Sequence, residues 1–333
     1  MNPAKIDIHL HLDGSLNLLW AYNKAIKYKT INEYMTFEDF YNLLFGYGNN
    51  DGKGYTATGF EKYDIVCSTL QTYDDLFEAT YLLAKTLNDR GLIYAEIRLA
   101  TQQHCLKGLS QLEALQATVD GAKKAMEDFP IKIGIINCMM HKGNSAAVNE
   151  SENLETIKVT KQLLGSGAVA LDLAGYENNC DFNEYAHLFE IAQSEGIPYT
   201  IHAAEMGNGE NILKALKLKP SRIGHGINCI QKPEYLKAVV DSGVTLEVCV
   251  SSNIGSSLNY VGHPIRDLIK AGVKVTINTD NMIFDRTDLL NEYSQMAMIG
   301  ISNKQLQQCT LNSLNAAFID DDLRSELRAK LEF

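Results

Sequence analysis

The sequence predicts an α/β chain folded as a TIM-type (β/α)8 barrel, with a helical insertion after the first strand and helices at the C-terminus. Three observations carry that expectation. Eight short runs dense in Val, Ile and Leu recur at 5–9, 92–99, 131–138, 169–173, 197–202, 223–225, 244–248 and 273–278. Longer amphipathic runs alternate with them. The 333 residues also suit one barrel of about 250 residues carrying insertions.

Each element has a local reason. Strands of a parallel sheet are covered on both faces, so they read as continuous apolar runs rather than as alternating ones. Between them, Leu76, Ala79, Leu82 and Leu83 fall at helical spacing within 76–89. The segments 109–129, 153–164, 182–193 and 233–241 carry the same period. Regular strand–helix alternation with about eight strands favours a closed barrel; an open doubly wound sheet is the alternative. Two stretches break the rhythm. Residues 20–74 follow the first strand, which places them above the C-terminal mouth, where lids sit. Residues 302–333 read as a helical cap. With no repeat, linker or low-complexity stretch, 1–333 reads as one domain.

Composition narrows the function. A net charge of −11 disfavours nucleic acid and anionic membranes as partners, but not a small neutral substrate. Seven cysteines, an odd number without a CxxC pair, suit a reduced protein. No signal-like or membrane-spanning run is present, so a cytoplasmic location is expected. The number of subunits is left open.

The chemistry begins at Ile8-His9-Leu10-His11. Two histidines at i and i+2 on a strand share a face and can reach one metal, although such pairs also arise by chance. Further polar groups end other strands: His202 and Glu205 in His202-Ala203-Ala204-Glu205, His225 in Arg222-Ile223-Gly224-His225-Gly226, and Asp280 in Asn278-Thr279-Asp280-Asn281. Each taken alone reads equally as a hydrogen-bonded loop residue. Together, three histidines and a carboxylate make an N/O donor set suited to zinc.

In their order and spacing these motifs, with Asp13-Gly14-Ser15, Tyr94-Ala95-Glu96-Ile97-Arg98 and Asp172-Leu173-Ala174-Gly175, resemble those of the adenosine deaminase family of amidohydrolase-type barrels. The resemblance spans nearly the whole chain. It implies one zinc per chain, held by His9, His11, His202 and Asp280. It implies Glu205 as proton shuttle and His225 as the group orienting the attacking water, with a core histidine or fifth ligand as the other readings of His225. Asp280 would also accept a hydrogen bond from that water. Asp13 would hold the ribose 5′-hydroxyl, and Gly175 would offer its N–H to a purine ring nitrogen. Asp13 before Gly14 reads equally as a turn residue, and a loop Glu such as Glu205 is commonly a surface or capping group.

The chemistry agrees with those roles. Zinc lowers the pKa of bound water to about 7. Attack at C6 of a purine needs a proton at N1, which a carboxylic acid of raised pKa can supply. The fourth strand has no lysine to bridge a second metal. A small purine nucleoside is the expected partner, with deamination of adenosine or 2′-deoxyadenosine in purine salvage as the expected role. Adenine, methylthioadenosine and N6-modified adenosine are the alternatives; a binding protein that kept only the fold is a further class. Gly224, where adenine-specific relatives carry an acid, leans towards the nucleoside. A cytidine-deaminase signature, H-x-E with P-C-x-x-C, is absent.

The chain departs from the family pattern at Asn281, Thr101 and Met140, where Asp, Pro and Arg are common. An Asn amide can donate to purine N7 at any pH. Phe60 and Tyr63 fall where relatives place gate residues, or they simply pack an insertion helix. The role of 46–59 is not assigned.

Overall fold

The computed structural model of the protein describes residues 2–45, 61–143, 145–177, 181–255 and 259–331. The call on Phe60 and on 46–59 falls outside the described residues.

Eight strands appear in the predicted order: β1 Ile6–His11, β2 Tyr94–Leu99, β3 Lys132–His141, β4 Ala168–Gly175, β5 Thr200–Ala203, β6 Arg222–His225, β7 Thr245–Val248 and β8 Lys274–Ile277. All neighbours pair in parallel, in two sheets ordered β1-β2-β3-β4 and β5-β6-β7-β8. Two seams join the sheets into a barrel. Leu171 bridges to Tyr199 across β4 and β5, and Leu10 bridges to Asp280 across β1 and the end of β8. At the second seam His11 N donates to Asp280 O at 2.8 Å and Asp280 N donates to His9 O at 2.8 Å. The backbone that closes the barrel therefore also places His9, His11 and Asp280 side by side.

Strand limits differ from the sequence reading in an instructive way. β1 runs on through His11, because the seam still pairs its backbone there. β3 extends three residues beyond 138, paired as far as His141↔Gly175. β5 starts only at Thr200. Segment 182–193 opens as a 3-10 turn, Phe182–Tyr185, before its helix Ala186–Ser194.

The insertion forms helices Leu18–Lys27, Phe37–Phe45 and Glu61–Cys67, followed by Tyr73–Asp89. It lies at the mouth. Tyr63 packs edge-on against Phe284, 4.7 Å between ring centres, and Cys67 Sγ lies 3.4 Å from Asp13. At the opposite end, helices Asn303–Ala316 and Asp321–Ala329 cover the starts of the strands. Leu314, Ala317 and Leu327 pack with Ile6, Ile8 and Tyr94 there, and Asn312 Nδ2 donates to Val275 O at 2.8 Å. Among the described residues, no helix is long and apolar enough to cross a membrane.

Candidate metal centre and substrate pocket

Side chains of β1, β5, β6 and the turn after β8 meet at the mouth. His11 Nε2 lies 3.4 Å from His202 Nε2 and 3.4 Å from Asp280 Oδ1, and His9 Nε2 lies 3.6 Å from the same oxygen. Ligands about 2.0–2.1 Å from a tetrahedral zinc stand about 3.4 Å from one another. These three separations stand at or close to that figure, and His9, His202 and Asp280 keep donor atoms within 4.8 Å of one another. Among the described residues His9 Nε2 is fully buried and has no hydrogen-bond partner. A buried ring nitrogen is expensive to leave unpaired, and a metal satisfies it. The residues therefore fit a zinc-type ion on their own geometry.

The orientation of the donors is set from behind. His9 Nδ1 is 2.7 Å from Glu247 Oε2, and His202 Nδ1 is 2.9 Å from Asp172 Oδ2. A ring that donates through Nδ1–H keeps the Nε2 lone pair for a metal. Ser252 Oγ donates to Asp280 Oδ2 at 2.6 Å. Burial alone would raise the Asp280 carboxyl. His9, His225 and His11 overcome it and hold that group well below the usual carboxylate range.

Glu247 and Asp172 belong to a buried ionic layer beneath the site. Arg98 donates to Asp172 Oδ2 at 2.8 Å and to Glu247 Oε2 at 2.9 Å. Arg222 donates to Glu247 Oε1 and, at 2.6 Å, to Glu96 Oε2. Against the cost of burial, these guanidinium groups keep Glu247 well below its ordinary range. Burying such charges is affordable only because each is paired.

His225 is also close, with Nε2 3.6 Å from Glu205 Oε1 and 3.9 Å from Asp280 Oδ2. It joins His9, His202 and Asp280 in a set whose donor atoms all lie within 4.8 Å of one another. Its tautomer follows from a chain of contacts. Ile265 N donates to His263 Nδ1 at 3.1 Å, so neutral His263 carries its hydrogen on Nε2. That nitrogen faces Asn253 Oδ1 at 3.3 Å. The Asn253 amide nitrogen then faces His225 Nδ1 at 3.0 Å and donates to it. His225 thus bears hydrogen on Nε2, towards Glu205 and Asp280. Burial holds its pKa well below the ordinary histidine value, so the ring is neutral. A protonated Nε2 is a hydrogen-bond donor and not a ligand. Of the readings left open by sequence, the geometry favours the donor.

Glu205 sits just beyond β5, on a loop gripped by Glu177. The carboxylate of Glu177 accepts from the backbone N–H of Ala204, from Glu205 N at 2.8 Å and from Met206 N at 3.0 Å. Burial first, and then the Asp280 charge, push the Glu205 carboxyl up to about 8.

Asp13 is buried and its carboxyl is raised by burial. Gly175 has φ 128°, and a Cβ there would stand 2.6 Å from His141 O, so only glycine brings this backbone so close. A Cβ on Gly224 would meet His9 Cε1 at 3.1 Å, a tight contact that a larger residue would make only if the His9 ring gave way slightly. Asn281 is buried with Oδ1 unpartnered. Tyr63 is half-buried, and its hydroxyl is held far above the usual phenol range by burial and then by Asp280. Thr101 Oγ1 bonds to Gln111 and Asn137, and Met140 packs with Ala100, Cys138 and Ala174.

Sequence reasoning assigned no role to Glu247, Glu177, Ser252, Asn253 or His263. Glu247 had a signal: a charged residue in the middle of the apolar run 244–248. Glu177, Asn253 and His263 act through the backbone or through another side chain, and their spacing carries no motif.

A parallel barrel with this donor set at its C-terminal mouth defines an amidohydrolase-type protein. The model of the family described as Adenosine deaminase matches residues 4–332. The adenosine deaminase of Haemophilus ducreyi is 34% identical, covering 98% of this chain and 95% of that protein. The chain belongs to the adenosine deaminase family. The fold is shared with the adenine deaminase of Arthrobacter aurescens, with a TM-score of 0.84, 21% identity and coverage of 99% and 98%. It is shared equally with an amidohydrolase from Burkhoderia ambifaria solved with bound Zn, with a TM-score of 0.84, 20% identity and coverage of 98% and 88%.

Proposed function

We propose that this chain hydrolyses adenosine and 2′-deoxyadenosine to inosine and 2′-deoxyinosine, releasing ammonia, as a cytoplasmic step of purine salvage. One zinc ion per chain would be held by His9, His11, His202 and Asp280. Bound there, zinc supplies the Lewis acidity that makes hydroxide available near neutral pH. The observation that carries this reading is the close approach of His11 to His202 and Asp280 and of His9 to Asp280, with His9 Nε2 buried and unpaired among the described residues.

The chain's own groups do the rest. Glu205, held protonated by burial, delivers a proton to N1 as oxygen adds to C6; the carboxylate so formed takes the proton of the added hydroxyl and passes it to the amino group as the C6–N bond breaks, and a proton from the next water restores it. His225 offers its Nε2–H to the attacking oxygen, and Asp280 accepts a hydrogen bond from the water. Asp13 accepts the ribose 5′-hydroxyl and repels a 5′-phosphate. Gly175 N–H and the Asn281 amide address ring nitrogens, with Tyr63 as a wall. Glycine at 224, where an acidic side chain would suit free adenine, supports the nucleoside.

The test is a deamination assay across adenosine, deoxyadenosine, adenine, AMP, methylthioadenosine and N6-methyladenosine, on protein of measured zinc content. Adenosine and deoxyadenosine should lead, with about one zinc per chain. Faster turnover of adenine or AMP would overturn the substrate reading, and full activity without metal would overturn the metal reading.

A further inference from the structure

A second cluster of ligating side chains lies beside the pocket. Asp13 follows β1, Cys67 ends helix Glu61–Cys67, and His104 follows the turn Thr101–Gln103 after β2. All three are buried, His104 completely. One ligand atom from each lies within 4.8 Å of the other two. Cys67 Sγ and Asp13 Oδ2 are 3.4 Å apart. A sulfur about 2.3 Å and an oxygen about 2.0 Å from a tetrahedral zinc stand about 3.5 Å apart, so this edge has ligand spacing.

An independent observation points to a ligand. His104 Nδ1 is engaged with Leu70 O at 3.0 Å, which fixes its hydrogen on that nitrogen. Nε2 is then a bare lone pair, fully buried and without a hydrogen-bond partner among the described residues. This is the state of a metal-ligating imidazole whose other nitrogen donates to a backbone carbonyl.

We propose that Asp13, Cys67 and His104 form a second cation site, selective for a thiophilic divalent ion of the zinc or cadmium class. The thiolate distinguishes it from the N/O set of the first centre, and a fourth position is left for water. Binding releases the Cys67 thiol proton, because the thiolate is the metal ligand. Resting on the reading of Asp13 as the 5′-hydroxyl acceptor, an ion held here competes with the nucleoside.

The test is titration of zinc-loaded protein with cadmium, followed by ultraviolet absorption. A thiolate-to-cadmium charge-transfer band should grow to one further equivalent. Cadmium exchanging into the first centre gives no such band, because that centre has no sulfur. Cys67→Ser should abolish the band, and His104→Gln should weaken the band-forming affinity at least about tenfold, both while retaining the first zinc; if one variant fails to fold, the other carries the test. Absence of the band, or its survival in Cys67→Ser, overturns the site. Cadmium should also raise KM for adenosine and leave kcat unchanged. A fall in kcat at constant KM overturns the competition. The band requires no turnover, so it reports on this site whatever the substrate proves to be.

Discussion

The two halves of the barrel reach the site in different ways. β1 carries His9 and His11 two residues apart within a six-residue strand, whose register with β2 slips between Asp7 and Leu10. The strands of the second half are four residues each. Their functional groups lie where the chain leaves the sheet, on left-handed backbone: Ala204 at φ 54°, His225 at φ 59° and Asp280 at φ 59°. Such conformations cost about 1–3 kcal/mol each for non-glycine residues, and persist where surrounding contacts over-determine them. Here those contacts are visible. Glu177 grips the Ala204 loop, Asn253 holds His225, and Ser252 with the β1 seam holds Asp280. The first half positions its histidine pair from within one strand, the second by side chains spent on holding strained turns.

That contrast can be broken experimentally. The largest effect is expected at Glu205, on the strained side. Glu205→Gln keeps the shape and removes the proton, so kcat should fall at least about 100-fold while zinc content is unchanged. Steady-state kinetics with metal analysis checks it, and near-normal turnover would remove Glu205 from the chemistry.

The ionic layer serves both halves, so damage there should be structural as well as functional. Glu247→Gln leaves Arg98 and Arg222 short of a partner and weakens the hold on His9. Unfolding free energy in urea should drop by about 3–5 kcal/mol, and zinc affinity by about 10–100-fold.

A subtler lesion tests the tautomer chain. Asn253→Asp presents an acceptor to His225 Nδ1, drawing hydrogen to that nitrogen and stripping it from Nε2. We expect kcat to fall about 10–100-fold with a smaller change in KM. Asn253→Gln, which can still donate, should recover part of the loss. Equal effects of both substitutions would leave only a packing role for Asn253.

The smallest effect is one of pH. His104, His141 and His263 are each lowered to about 4, in every case chiefly by burial. The folded values lie below the unfolded value of 6.5, so the unfolded chain binds protons first as pH falls. The stability contributed by the neutral rings is complete above pH 6.5 and is lost progressively towards pH 4. Urea midpoints of metal-free protein should fall over that window. A flat profile would mean that these rings are not held neutral.

The same contrast explains what was legible in the sequence. His9 and His11 repeat with the period of a strand, so their shared face could be read directly. The eight apolar runs likewise announced the barrel, since strands buried on both faces have few other ways to look. His202, His225 and Asp280 end apolar runs and were found as a set, through their order along the chain. The groups that hold them were not found. Glu177 and Asn253 act across 28 and 28 residues of sequence separation, on backbone or ring nitrogens, and no periodicity marks such a contact. The strand ends slipped for a related reason: β1 persists through His11 because it pairs with Arg98 of β2 on one side and with the turn after β8, far along the chain, on the other.

The central claim is that His9, His11, His202 and Asp280 share one zinc. Anomalous diffraction at the zinc edge from crystals of the purified protein tests it directly. The account predicts one strong peak within bonding distance of all four side chains. A zinc-loaded, active protein whose peak lies away from them would contradict it.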